Sequence, residues 1–121
     1  NGLDKTQKHL AQRLSNCSVY SLIDKTNLIE AATVIDCAKF CIGVDTGLTH
    51  MSVSLKKKTI ALFGSTCPYL NPVYSTSKVI WLNQKCSPCI RYPNIKSNLS
   101  CLNGIHPEIV ENEIEKLIMS N

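Results

Sequence analysis

Short unbroken apolar runs alternate along this chain with stretches whose apolar residues recur every three or four positions. That alternation predicts strands interleaved with helices. Phe40-Cys41-Ile42-Gly43-Val44, Thr59-Ile60-Ala61-Leu62-Phe63 and Val79-Ile80-Trp81-Leu82 are apolar without a polar alternate, the pattern of parallel strands covered on both faces. Val19-Tyr20-Ser21-Leu22 is a shorter β-prone piece. Helix signals fall between and around them. Asp4 with Gln7 opens a segment carrying Leu10 and Leu14 one turn apart. Asn27 stands where a cap would, Glu30 three residues on, and Leu28, Ala32 and Ile35 share one face, a capping box followed by an amphipathic stripe. A further helix is expected from about Leu48 to Leu55. The last opens at Pro107, with Glu108 and Glu111 near its positive end and Val110, Ile114, Leu117 and Ile118 on one side. The stretch from Asn83 to Gly104, with Pro88 and Pro93, reads as loop.

Strands alternating with helices predict an α/β layered fold with a parallel sheet. In such sheets ligands bind beyond the carboxyl ends of the strands, which directs attention to the loops after Leu22, Val44, Phe63 and Leu82. Composition fits a single globular domain: 121 residues, 44% hydrophobic and 18% charged. No apolar run reaches the roughly 18 residues a bilayer span needs. Net charge is +4, which tolerates an anionic partner without identifying one. Lys56-Lys57-Lys58 reads as a solvated turn, with phosphate or membrane-surface attraction as the competing reading. The chain opens on Asn1-Gly2 rather than methionine, and we read it as part of a longer protein.

The loop after Val44 carries the most chemistry. Asp45-Thr46-Gly47-Leu48-Thr49-His50 joins a strand end directly to a helix start. Amides at such a start have no carbonyl partner, and the helix dipole favours an anion. Gly47 offers close backbone approach to a phosphate, Thr46 a hydroxyl, Asp45 a carboxylate and His50 a ring that can donate or stay neutral. The plainer alternative is a tight turn with an N-cap and a half-buried histidine.

The stretch Ala38 to His50 resembles the signature of the ADP-heptose:lipopolysaccharide heptosyltransferases, an apolar strand followed by Asp-(Ser/Thr)-Gly-x-x-His. Phe63-Gly64-Ser65-Thr66-Cys67-Pro68 is similar to that family's next loop. Cys86-Ser87-Pro88-Cys89, Cys101-Leu102 and Ile105 to Val110 also resemble its motifs. The resemblance implies a Rossmann-like domain, the C-terminal half of a glycosyltransferase-B fold, occupying residues 1–121 and binding a nucleotide sugar. It implies ADP-heptose or another nucleotide sugar as donor, with no cofactor required. Thr46, Gly47, Leu48 and His50 would hold the diphosphate, Asp45 would face the transferring sugar as the catalytic candidate, and Thr26 would lie beside the base. The phosphate-binding lysine, and the acceptor domain with its general base, would lie outside this chain. The acceptor would be a lipopolysaccharide-core or related glycan, at a cytoplasmic site that can be peripheral to the inner membrane. By this reading the chain alone does not turn over.

Seven cysteines are many for this length. Cys17, Cys37, Cys41 and Cys67 lie in or beside apolar runs and read as buried core thiols. Cys86, Cys89, Cys101 and His106 have the spacing C-x2-C-x11-C-x4-H, which leaves open a metal site, a packed thiol cluster or a disulfide. A second function class follows from them, a non-catalytic cysteine-rich metal-binding or interaction module. Nucleotide protection of the Val44–Ser54 region separates the two classes.

Overall fold

The computed structural model describes residues 19–66, 75–87, 89 and 100–120. The expected helix at Asp4–Leu14, Cys17 and Cys67 lie outside them. The chain divides into two units, Asn1–Glu30 and Ala31–Asn121, and each is described by itself.

In the first unit the expected strand at Val19–Leu22 does not form. A strand needs a partner for its amides and carbonyls, and none of the described strands pairs with it. The segment instead leads into a turn closed by Lys25 N–H on the Leu22 carbonyl (3.1 Å), with Asp24 at φ 57°. The capping box forms as read. Glu30 N–H donates to Asn27 Oδ1 at 2.9 Å, and Asn27 N–H donates back to Glu30 Oε2 at 2.8 Å. Each orphan amide at this helix start thereby gains a local partner. Helix α1 spans Leu28–Cys37.

In the second unit, β1 (Cys41–Val44), α2 (Gly47–Ser54), β2 (Thr59–Phe63) and β3 (Ser77–Trp81) build a parallel sheet in the order β1-β2-β3. Val44 stands opposite Leu62, and Phe63 opposite Trp81. The α/β, Rossmann-like reading therefore holds. The central strand β2 is the core, with Ile60, Ala61 and Phe63 buried. Strand β1, which among the described strands pairs on one side only, departs from expectation. Ile42 and Val44 are 47% and 45% exposed, because α2 covers the face that carries Gly43 and alternate residues of a strand point the other way.

Gly43 explains how α2 reaches β1. A Cβ there would overlap the Thr49 hydroxyl, and Thr49 is buried by that approach. Below it, Thr59 donates its hydroxyl proton to the Lys57 carbonyl (2.9 Å), so Ser52 is the donor in the 2.7 Å bond between the two hydroxyls. Two fully buried polar side chains are satisfied in this way.

The basic run is engaged with the fold rather than simply solvated. Lys57 Nζ donates to the Asp36 carbonyl and lies 3.6 Å from its carboxylate, while Lys58 Nζ donates to the Ile118 carbonyl at 3.3 Å. Among the described residues of the expected loop Asn83–Gly104, Ser100–Asn103 form a helical turn, α3. Helix α4 (Pro107–Met119) starts at the proline, as read. Glu113 ties it down, taking Lys116 at 2.8 Å and Lys78 of β3 at 3.6 Å. The Lys116 hydrogen bond, opposed by burial and aided by Lys78, lowers the Glu113 pKa.

Of the cysteines read as core thiols, Cys37 is exposed at the end of α1 and Cys41 is half-buried on β1. The apolar context of Cys37 is local to its helix, and no packed layer covers it. Among the described residues no helix is long and apolar enough to cross a membrane.

Candidate functional site

The site forms where β1 ends and α2 begins. Thr46 caps the helix in extended conformation (φ −141°, ψ 162°). Its carbonyl accepts from both Thr49 N–H (3.1 Å) and His50 N–H (3.2 Å). Gly47 and Leu48 are the first two residues of the helix, where an amide has no carbonyl one turn earlier to bond. Their N–H groups are the donors this turn can offer to an anion, reinforced by the helix dipole. A Cβ on Gly47 would meet nothing within 4 Å, and its φ is not positive. The fold therefore does not require glycine at position 47, whereas it does at 43. The space above Gly47 is open.

Asp45 and His50 face each other across this turn, with Nε2 to Oδ1 at 2.8 Å. An ionised carboxylate can only accept, so His50 donates from Nε2. Thr66, in the turn after β2, also hydrogen-bonds the Asp45 side chain. The Thr66 bond and then the His50 bond hold the Asp45 pKa below its ordinary value, against a small desolvation effect. Asp45 is thus an anion throughout the neutral range. The two loops enclose a cavity of about 180 Å³ lined by Asp45, Gly64, Ser65, Thr66 and Leu102.

The structure brings Asp45, Thr46, Gly47, Leu48 and His50 together as the sequence indicates. The Thr46 hydroxyl lies 3.4 Å from that of Thr49. Thr26 is half-buried just before α1 and belongs to the other unit. Cys86, Cys89 and Cys101 are free thiols, Cys101 buried and the others half-buried. Among the described residues no three His, Cys, Asp or Glu side chains gather to hold a metal, so these cysteines and His106 do not assemble a ligand set.

The Cys86–Cys89 segment instead grips the turn after β2. Ser87 Oγ donates to the Gly64 carbonyl at 2.6 Å, the Trp81 indole N–H donates to Ser87 Oγ at 3.2 Å, and Cys89 N–H donates to the Ser65 carbonyl at 2.8 Å. Gly64 lies so close to Leu102 that a Cβ there would stand 2.6 Å from its Cγ. Thr66, Ser87 and Trp81 were given no site role from the sequence, although Thr66 and Ser87 lie in strings that resemble the family's motifs. A further signal for Thr66 is its place beyond the carboxyl end of a strand.

A family model described as glycosyltransferase family 9 (heptosyltransferase) matches residues 3–100. The chain is 26% identical to lipopolysaccharide heptosyltransferase 1 of Pseudomonas aeruginosa, over 92% of its own length and 35% of the relative. It is 28% identical to lipooligosaccharide heptosyltransferase 2 of Campylobacter jejuni, over 96% of the chain and 39% of the relative. Lipopolysaccharide heptosyltransferase 1 of Salmonella typhimurium is 35% identical over 64% of the chain and 24% of that protein. The chain thus spans little more than a third of the length of the curated relatives that match most of it. No solved structure matches it.

Proposed function

The chain belongs to glycosyltransferase family 9 (heptosyltransferase), and from that membership we propose that its β1–α2 turn holds the donor of a heptosyl transfer. The donor is a nucleotide diphosphate sugar, ADP-heptose in this reading. The acceptor in this reading is a glycan of the lipopolysaccharide core; the relatives' names, lipopolysaccharide and lipooligosaccharide heptosyltransferase, support the lipopolysaccharide class. The observation that carries the reading is the open space over Gly47, at a helix start flanked by the Asp45–His50 pair.

The chemistry follows from these groups. As the sugar leaves, the bond from its anomeric carbon to the diphosphate oxygen breaks and charge develops on that oxygen. The Gly47 and Leu48 amides and the positive end of α2 stabilise this charge without reorganising. His50 uses its Nε2–H to hold the Asp45 carboxylate at the same turn. Asp45, an anion beside the departing sugar, favours the positive charge that builds there. The acceptor hydroxyl must lose a proton as it attacks, and the base for that step belongs to the remainder of the full-length protein. The reading requires the transfer site to be open to a cytoplasmic nucleotide sugar.

Gly47→Val tests it, because a Cβ at this position meets nothing in the fold, whereas a branched side chain would stand where a phosphate meets the Gly47 amide. In the full-length protein the variant should melt as the wild type does, yet show no ADP binding by calorimetry. Undiminished ADP affinity would place the diphosphate elsewhere.

A further inference from the structure

We propose that Thr66 is a positioning residue for the transfer: its hydroxyl, presented by the turn after β2, fixes the Asp45 carboxylate in the orientation in which it faces the donor sugar. This rests on the reading that Asp45 faces that sugar. Asp45 carries two acceptor oxygens on a side chain at the end of β1, and its own loop offers His50 as a partner, at 2.8 Å. One hydrogen bond leaves a carboxylate free to pivot about it. The second bond comes from a different strand's loop, which the parallel register of Val44 with Leu62 brings alongside. Two donors from two loops define the carboxylate plane. Between them lies the 180 Å³ cavity that both Asp45 and Thr66 line.

A donor can position another group only if its own mount is fixed. The turn from Gly64 to Thr66 is fixed from several sides. Ser87 and Cys89 bond the carbonyls of Gly64 and Ser65, Trp81 holds Ser87, and Leu102 of α3 packs where a Gly64 Cβ would be. The Cys-Ser-Pro-Cys segment, which gathers no metal ligands among the described residues, thereby serves as the clamp on this mount. Among the described groups facing Asp45, the titratable one is His50 of α2. The turn after β2 contributes the Thr66 hydroxyl, and α3 contributes the apolar Leu102.

The experiment is steady-state transfer by the full-length protein, with ADP-heptose and a lipopolysaccharide-core acceptor. It compares Thr66→Val, Thr66→Ser, Asp45→Asn and the Asp45→Asn/Thr66→Val double variant. Thr66→Val should lower kcat on the order of tenfold or more with the donor KM within about threefold, the pattern of an interaction used in the transition state. Thr66→Ser, which keeps the hydroxyl, should restore kcat to within about threefold of wild type. Loss of the donor also releases the Asp45 pKa upward, so the acid limb of the pH profile should move to higher pH in Thr66→Val. The double variant should be no worse than Asp45→Asn, since the two act as one unit. Wild-type kcat and acid limb in Thr66→Val, beside an impaired Asp45→Asn, would overturn the role of Thr66 and leave the Asp45 reading standing. An unimpaired Asp45→Asn would overturn that reading and this one with it. Thr66→Ala serves in the same comparison if the valine variant does not fold.

Discussion

Gly43 and Gly47 stand at the two ends of one turn, and the structure needs a glycine at only the first. A methyl group on Gly43 would run into the Thr49 hydroxyl on the face where α2 meets β1. Gly43→Ala should therefore cost about 1–3 kcal/mol, the range for overpacking a close contact. Gly47→Ala should unfold no earlier than wild type, and alanine in a helix gains up to ~1 kcal/mol over glycine, while its affinity for ADP falls. Urea unfolding and calorimetry on the pair check both halves, and a Gly43→Ala variant as stable as wild type would refute the packing argument. At the same turn, Asp45 has a folded-state pKa lowered by Thr66 and His50. Its contribution to stability is present above its unfolded pKa and is lost as pH falls through the folded value. The Asp-Thr-Gly-x-x-His string was legible in the sequence because its residues are neighbours. The need for Gly43 was not, since it depends on where a helix six residues later comes to rest.

At the scale of elements, what the sequence disclosed was local and what it concealed was paired. The Asn27–Glu30 box, the bounds of β2 and the proline start of α4 follow from residues within a turn or a run of each other. The β-prone Val19–Leu22 forms no strand, because propensity supplies no partner for a strand's hydrogen bonds. Cys37 is exposed for a related reason: a helix has an outer face, and an apolar string does not say which residues lie on it. The clamp from Trp81 through Ser87 to Gly64 closes a separation of 23 residues and leaves no periodic trace. Ser87→Ala would strand the Trp81 N–H and the Gly64 carbonyl, both part-buried. It should destabilise the protein by about 1–3 kcal/mol, the cost of leaving such groups unpaired. It should also lower kcat less than Thr66→Val does, because the hydroxyl that touches Asp45 remains. A stability change without any change in kcat would mean that the clamp supports the fold but not the site.

For the molecule as a whole, the α/β character was legible, and so was the strand-to-helix turn that forms the candidate site, since loops beyond the carboxyl ends of parallel strands are where ligands bind. The exposed side chains of Ile42 and Val44 were not, because an apolar run looks the same at the centre of a sheet and at its edge. The chain covers 35% and 39% of two relatives that match nearly all of it. In this account it supplies the half of the chemistry that holds the donor and receives the leaving charge. The proposal assigns the binding of the acceptor, and the base that deprotonates it, to residues outside this chain. The account depends on one placement, a diphosphate on the first amides of α2. Hydrogen exchange at Gly47 and Leu48 reads that placement directly, because their N–H groups stand at a helix start without an intrahelical acceptor. In the full-length protein, saturating ADP should slow exchange at these two amides by about tenfold or more, with His50 and its neighbours in α2 following less strongly. Bound ADP that leaves Gly47 and Leu48 exchanging at their free rate, while protecting amides elsewhere, would contradict the account.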